Sequence, residues 1–331
     1  MSYFAAKNEK AGMVTVYFIL PCYNEEEVLP ETSKRLLQKF LSLAEKNYIS
    51  AESRIIFVDD GSKDSTWKII EKLHNKNDIF GGLKLTGNCG HQNALLAGLL
   101  TFKDNADAFI SLDADLQDDI DAVDEMIRRF TEGNDIVYGV RKSRARDTFF
   151  KKTTALAFYK LMRFMGVDLV YNHADYRLMS KRALNDFAGY KEVNLFLRGI
   201  IPLLGYKSCV VLYERHERFA GESKYPLKKM FAFAVQGITS FSIKPIRLIT
   251  FIGFSVFFLS LMILLYVLSI KYIAGVAVSG WASMILSIWM LGGLQLLTTG
   301  VIGEYIAKTY LETKRRPRFA IEKSLNKAGK T

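Results

Sequence analysis

The chain has 331 residues, of which 50% are hydrophobic and 13% aromatic, yet its formal net charge is +11. Disordered chains are polar and poor in aromatic residues, so this composition excludes intrinsic disorder and leaves nucleic-acid binding or a membrane to explain a basic, apolar chain. The three cysteines, Cys22, Cys89 and Cys209, are odd in number and lack metal-site spacing, which argues against a disulfide framework and favours a reducing, cytosolic environment.

Strands and helices are predicted to alternate along residues 14–140. Short apolar runs predict five strands, at Val14–Leu20, Arg54–Val58, Gly82–Leu85, Ala108–Leu112 and Asp135–Val140. Apolar residues at helical spacing predict the helices between them, at Glu31–Lys46, Ser65–Leu73, Gln92–Leu100 and Asp121–Thr131. This alternation is typical of a Rossmann-like α/β domain with a mainly parallel sheet.

Basic residues outnumber acidic ones after residue 140, whereas the reverse holds before it. Residues 141–165 interleave basic and apolar side chains and are predicted to form an amphipathic segment on anionic membrane lipids. Residues 226–245 are predicted to form a membrane-interface helix. For each segment, an ordinary surface helix of the domain is the alternative.

Two long apolar runs, 246–271 and 281–303, are each long enough to cross a bilayer, which takes about 20 residues. Basic residues flank the pair, and Lys271 is the only charge between Leu248 and Gly303, so the positive-inside rule places both ends in the cytosol. The sequence predicts a transmembrane hairpin and makes nucleic-acid binding the weaker alternative. Glycines at 292, 293 and 300 would permit close helix packing, which leaves homo-oligomerisation through the hairpin open.

These patterns divide the chain into consecutive parts. They are an N-terminal tail (1–12), the α/β domain (13–225), the interface helix (226–245), the two transmembrane helices (246–271 and 281–303) and a basic cytosolic tail (304–331).

Polar residues follow the predicted strands at the points where the strands end. In open α/β sheets, ligands bind outside the carboxyl ends of the strands. After Ala108–Leu112, the side chains of Asp113, Asp115 and Gln117 offer the hard oxygen ligands that suit Mg²⁺ or Mn²⁺. The alternative, capping of the following helix, is assigned to Asp118 and its acidic neighbours at 119 and 121.

Two carboxylates, Asp59 and Asp60, follow the second predicted strand. A carboxylate there can accept a hydrogen bond from an imide N–H or from a ribose hydroxyl, with an Asx turn as the alternative. The sequence lacks both GxxxxGK[ST] and GxGxxG, so the kinase and dehydrogenase interpretations lack their defining loops. His91, His173 and His216 have no metal-ligand spacing and are interpreted as structural or solvated.

Several motifs occur in a characteristic order. They are Pro21-Cys22-Tyr23-Asn24-Glu25, Val58-Asp59-Asp60-Gly61-Ser62-Lys63-Asp64-Ser65-Thr66, Asn88-Cys89-Gly90-His91-Gln92-Asn93-Ala94 and Asp113-Ala114-Asp115-Leu116-Gln117-Asp118. The ordered set resembles glycosyltransferase family 2, whose nucleotide-sugar-binding domain has the GT-A fold. Asp175-Tyr176-Arg177-Leu178-Met179-Ser180, Arg218-Phe219-Ala220-Gly221-Glu222-Ser223-Lys224-Tyr225 and the C-terminal hairpin resemble its polyprenyl-phosphate branch, and the resemblance covers roughly residues 13–316.

The resemblance implies roles for the matching positions. The nucleotide sugar would be held by Pro21, Tyr23, Glu25, Asp59, Asp60 and Asp113. The metal, Mg²⁺ or Mn²⁺, would be held by Asp113, Asp115 and Gln117. The lipid phosphate and the diphosphate would be met by Arg218, Ser223 and Lys224. The catalytic set would comprise Asp115, Arg141, Asp175, Arg218 and Lys224, with Asp175 preferred as a sugar-hydroxyl or positioning group.

The implied reaction is inverting transfer of a sugar from a UDP-sugar to undecaprenyl phosphate at a bacterial cytoplasmic membrane, with glucose favoured over N-acetylglucosamine. A downstream flippase and a glycan-transferring enzyme would then use the product. The alternatives are a processive polysaccharide synthase, whose QxxRW-type motif is missing from the sequence, and an inactive membrane scaffold. The intact Asp113, Asp115 and Gln117 set argues against the scaffold.

Overall fold

The computed structural model describes residues 13–142, 160, 164, 173–193, 197–214, 238–239, 242, 244–273 and 280–326. The strands within these ranges are β1 (Val16–Cys22), β2 (Arg54–Asp59), β3 (Phe80–Leu85), β4 (Ala108–Ser111), β5 (Ile136–Arg141), β6 (His173–Ser180), β7 (Ser208–Tyr213) and β8 (Ile321–Leu325). The helices are α1 (Leu29–Glu45), α2 (Thr66–Lys76), α3 (His91–Phe102), α4 (Ala122–Thr131), α5 (Lys181–Phe187), α6 (Leu197–Leu203), α7 (Lys244–Ile273) and α8 (Trp281–Lys314).

The strands form one sheet in the order β7-β5-β6-β4-β1-β2-β3-β8. β1 runs parallel to β2 and β4, β2 to β3, and β5 to β7, whereas β6 runs antiparallel to β4 and β5. The expected Rossmann-like α/β fold is confirmed, and its sheet combines parallel with antiparallel strand pairs. Within the described residues, the sheet with its helices makes one compact unit, and α7 and α8 belong to a second.

The central strands are buried on both faces, which explains their continuous apolar sequence. All seven residues of β1 are buried. α3 packs on β1 and β2 through Gly98, where a Cβ atom would lie 2.5 Å from Ile19 Cγ2 and 2.7 Å from Val58 Cγ2. A residue without a side chain therefore lets α3, and the loop before it, approach the carboxyl ends of these strands.

The predicted elements from β1 to β5 are present, with shifted ends. Pro21 and Cys22 extend β1 beyond its predicted end at Leu20, and they pair with Val58 and Asp59 of β2. No strand was predicted over the residues of β6 or β7. Most of the predicted amphipathic segment 141–165 and of the interface helix 226–245, and all of the tail 1–12, lie outside the described residues.

The predicted C-terminal tail, 304–331, needs correction. It contains the end of α8 and the strand β8, which pairs antiparallel with β3. Lys84 Nζ lies 2.8 Å from Glu322, Lys323 Nζ lies 2.7 Å from Glu71, and Leu325 packs against the core. A short edge strand made by pairing with a distant segment leaves no local periodicity, so the sequence pattern did not reveal it.

The two predicted transmembrane segments are helical and fall within α7 and α8. Among the residues that the structure describes, no helix is long and apolar enough to cross a membrane. Large apolar side chains of both helices are exposed, among them Phe251, Met262, Met290 and Leu296. The hairpin itself stays a prediction.

Candidate active site

The loops after β1 and β2 are joined by reciprocal hydrogen bonds. The Asn24 N–H donates to Ser62 Oγ at 3.0 Å, and Asn24 Oδ1 accepts from the Lys63 N–H at 2.9 Å. The Glu25 N–H donates to Thr66 Oγ1 at 2.9 Å. These bonds fix the loop that carries Tyr23, whose side chain is exposed at the carboxyl edge of the sheet.

Asp60 is buried beneath the loop that leads into α3. Its Oδ1 accepts the Cys89 N–H at 2.8 Å, and its Oδ2 accepts the Gly90 N–H at 2.9 Å. Gly61, at φ +67°, allows the close approach, because a Cβ there would lie 2.6 Å from Gly87 backbone atoms. Through these bonds Asp60, a predicted nucleoside ligand, ties β2 to the loop before α3.

Asp59 and Cys89 lie next to this loop. Asp59 Oδ1 accepts the Ser62 N–H at 3.2 Å, while its Oδ2 has no hydrogen-bond partner among the described residues. Burial raises the pKa of Asp59. Burial, with a hydrogen bond to Asp60, raises the pKa of the Cys89 thiol to about 12, so Cys89 is not a reactive thiolate at neutral pH.

The loop after β4 presents the predicted metal-binding residues. Its Asp115 Oδ1 accepts the Gln117 N–H at 3.2 Å, and Leu116 between them has a left-handed φ of 59°. Thr32 of α1 donates to the Ala114 carbonyl at 2.7 Å. The sharp turn therefore brings the side chains of positions 113, 115 and 117 onto one short loop that α1 supports.

His91, which was predicted to be structural or solvated, lies between two of the acidic residues. Its Nε2 lies 3.4 Å from Asp113 Oδ1 and 3.8 Å from Asp175 Oδ2. Burial raises the pKa of Asp113 to about 6; His91 opposes this shift, and the charges of Asp118, Asp175 and Asp115 add to it. Repulsion among these carboxylates favours a cation at this point.

Asp175 is held between two arginines. Arg177 Nη2 donates to its Oδ1 at 2.5 Å, and Arg198 Nη2, from α6, donates to its Oδ2 at 3.2 Å. Burial alone would raise the pKa of Asp175, but Arg198 and then Arg177 hold it well below its usual value. Asp175 is therefore an anion at neutral pH and a weak base.

Arg141 lies at the end of β5 beside a buried polar cluster. Its Nε donates to Tyr213 Oη at 3.2 Å, and its Nη2 lies 3.7 Å from Asp118 Oδ1. Tyr213 in turn donates to Asp118 Oδ1 at 2.5 Å. Asp118, assigned to helix capping from the sequence, instead joins β7 and β5 to the loop after β4.

The donor set suits the predicted metal. Asp113, Asp115 and Gln117 supply hard oxygens, and the carboxylate crowding around Asp113 would be relieved by a divalent cation. Within the described ranges, no group of three or more His, Cys, Asp or Glu side chains is arranged to hold a metal ion. Proteins commonly bind Mg²⁺ through one or two carboxylates, and oxygens of the substrate's phosphates complete its coordination shell.

The predicted phosphate-binding residues Arg218, Ser223 and Lys224 lie outside the described residues. The others converge on one edge of the sheet, carried by the loops after β1, β2 and β4 and by the strands β5 and β6. Sequence reasoning missed His91 and Arg198. The Asn88–Ala94 motif was a signal for His91, but Arg198 lies outside every motif quoted from the sequence.

Comparison with known proteins adds to this geometry. The family model described as "Glycosyl transferase family 2" matches residues 17–187. An uncharacterized glycosyltransferase, YkoT of Bacillus subtilis, is 53% identical over 95% of this chain and 93% of its own. The bactoprenol glucosyl transferase of Shigella phage SfX is 39% identical, and a prophage bactoprenol glucosyl transferase homolog of Escherichia coli is 38% identical, each over 93% of this chain and 98% of its own.

Proposed function

We propose that this chain, which belongs to glycosyl transferase family 2 and is a glycosyltransferase, transfers glucose from UDP-glucose to undecaprenyl phosphate. The observation that carries the acceptor is similarity over nearly the whole chain to relatives named bactoprenol glucosyl transferases. The match to that branch includes the C-terminal helices as well as the α/β domain. N-acetylglucosamine is the next candidate sugar.

The site offers the groups that a diphosphate leaving group needs. Negative charge grows on the diphosphate as the glycosidic bond breaks, and Arg141 supplies a positive charge at that edge of the sheet. Asp113, Asp115 and Gln117 would hold Mg²⁺ or Mn²⁺, which when bound would neutralise the same charge. Tyr23, exposed at the same edge, offers an aromatic surface for the base.

The acceptor chemistry makes a general base unnecessary. A phosphate monoester has a second pKa of about 6, so undecaprenyl phosphate is mostly the dianion at neutral pH and attacks the sugar directly. The arginine-paired Asp175, a weak base, suits a different role: it accepts a hydrogen bond from a sugar hydroxyl. Inversion at the anomeric carbon follows from a single displacement.

We place the reaction at a bacterial cytoplasmic membrane, with the α/β domain and both termini in the cytosol. The exposed apolar side chains of α7 and α8 support this location, since water disfavours so much apolar surface. Basic segments flanking the helices would bind anionic lipids. A flippase and a glycan-transferring enzyme would use the lipid-linked glucose in modifying an envelope glycan.

The test is transfer in membranes that contain the full chain, undecaprenyl phosphate, Mg²⁺ or Mn²⁺, and a panel of labelled UDP-sugars. We expect a lipid-linked sugar from UDP-glucose above all, and none from membranes carrying the Asp115→Ala variant at equal abundance. Formation of no glycolipid from any nucleotide sugar would overturn the proposal. A glycolipid from another sugar alone would correct the donor and leave the acceptor in place.

A further inference from the structure

Asp175 is fixed from several directions within the α/β unit. Its own backbone carbonyl accepts a hydrogen bond from Ser111 Oγ at 2.6 Å, which ties β6 to β4. Its carboxylate takes one hydrogen bond from Arg177 and two from Arg198. Only 13% of the Asp175 side chain is exposed, so a substrate can reach little of the carboxylate.

The two arginines differ in what they can do. Arg177 lies on β6, two residues along the same face of the strand, and only 2% of its side chain is exposed. It therefore acts as part of the core. Arg198 reaches Asp175 from α6, with 36% of its side chain exposed, and its Nε and Nη2 grip the carboxylate at 3.3 and 3.2 Å. A planar guanidinium gripping with two nitrogens fixes rotation as well as charge.

α6 is itself attached to the metal-binding side of the site. Gln92 Oε1, on α3, accepts the Leu197 N–H at 3.1 Å at the start of α6. The residue before Gln92 is His91, whose Nε2 lies between Asp113 and Asp175. The position of Arg198 is thereby linked to the helix end that faces the predicted metal-binding residues.

We propose that Arg198 is a positioning residue. Its two hydrogen bonds orient the carboxylate of Asp175 so that the carboxylate accepts a hydrogen bond from a hydroxyl of the transferred sugar. This inference rests on the proposed glycosyl transfer and adds to it a residue that no motif indicates. Binding of the nucleotide would not depend on this contact. Arg198 therefore acts on the rate of transfer, because it sets the orientation of the sugar at the moment of displacement.

The test compares Arg198→Gln, Arg198→Lys and Arg198→Ala in the full-length protein, with undecaprenyl phosphate and UDP-glucose as substrates. We expect Arg198→Gln to lower kcat about 100-fold, the loss that a misplacement of about 1 Å between reacting groups can cause, with little change in KM for UDP-glucose. Arg198→Lys keeps the positive charge but cannot donate from two nitrogens of a planar group, so its kcat should lie between those of Arg198→Gln and wild type. Added guanidinium, below denaturing concentrations, should partly rescue Arg198→Ala.

Arg182→Gln is the matched control: Arg182 also donates hydrogen bonds from two nitrogens to one carboxylate, that of Asp135, and we expect its replacement to leave kcat unchanged. Unchanged kcat in Arg198→Gln, or full activity in Arg198→Lys, would overturn the positioning role. So would a loss without guanidinium rescue accompanied by a lowered unfolding temperature. Hydrolysis of UDP-glucose is followed in parallel. If wild type hydrolyses the donor but forms no glycolipid, the acceptor proposal fails, and the Arg198 variants are compared by hydrolysis.

Discussion

The contact between Asp60 and the loop before α3 leads to a sharp prediction for Asp60→Asn. The carboxylate accepts two backbone N–H groups, one on each oxygen. An asparagine keeps one acceptor and turns its NH₂ group toward the other N–H, so at least one charge-assisted hydrogen bond is lost. Such bonds contribute about 1.5–3 kcal/mol each, so we expect the loop to lose about 2 kcal/mol.

That loss has two measurable consequences. The free energy of unfolding, followed by urea titration in detergent, should fall by about 2 kcal/mol without any nucleotide present. The affinity for UDP, measured by calorimetry, should fall by up to about 30-fold, because binding must first restore the loop. Asp107→Asn is the control: among the described residues its carboxylate accepts one hydrogen bond, from the Thr15 N–H at 2.9 Å, and an asparagine oxygen can keep that bond.

The alternative, that Asp60 contacts the nucleoside directly, predicts a different outcome. Asp60→Asn would then weaken UDP binding and leave unfolding in the absence of nucleotide unchanged. This result would refute the supporting role that the hydrogen bonds assign to Asp60. If stability and affinity both matched wild type, neither role would stand.

Three further predictions test other parts of the molecule. EDTA should abolish transfer and Mg²⁺ or Mn²⁺ restore it, while Asp115→Ala should be inactive but normally inserted in membranes, as judged by carbonate extraction. Leu325→Asp should lower the free energy of unfolding by about 2 kcal/mol, because Leu325 packs against the core, whereas Glu322→Gln at an exposed ion pair should have little effect. Hydrogen bonding from Arg182 lowers the pKa of Asp135, so this carboxylate stabilises the fold above its unfolded pKa of about 3.9, and the stabilisation is lost as pH falls below it. Asp135→Asn should therefore reduce stability at neutral pH and flatten its decline with acid, measured as urea midpoints across pH.

The first half of the sheet was predictable because its signals are local. β1, β2 and β4 are buried apolar runs, and each is followed by a polar motif at its carboxyl end. In a parallel sheet these ends share an edge, so the order of motifs also predicted where the site lies. The helices between the strands followed from apolar spacing alone.

The later strands were not predictable in the same way. β6 carries the Asp175 motif, but its charged residues Asp175 and Arg177 are buried as a pair, and an alternation of charged residues gives no apolar strand signal. β8 depends on pairing with β3 across more than 200 residues of chain. Both depend on contacts that form only in the folded sheet, which local periodicity cannot report.

The same reason explains His91 and Arg198. The contacts of His91 could not be predicted from residue spacing along the chain, because Asp113 and Asp175 belong to other elements of the fold. Arg198 lies on a short helix whose residues show no motif, and its importance follows only from the two hydrogen bonds to Asp175.

The engagement of the acidic residues indicates what kind of chemistry this edge of the sheet supports. Backbone N–H groups donate hydrogen bonds to Asp60, Tyr213 donates one to Asp118, and two arginines donate to Asp175, so each of these carboxylates is already engaged by hydrogen-bond donors. A general base needs an accessible carboxylate with a pKa near the working pH, and these three are instead committed to fixing loops and strands. The acceptor phosphate carries its own negative charge at neutral pH and needs no such base. Rigid placement of the donor, the sugar and the acceptor is therefore the contribution that this architecture makes to the reaction.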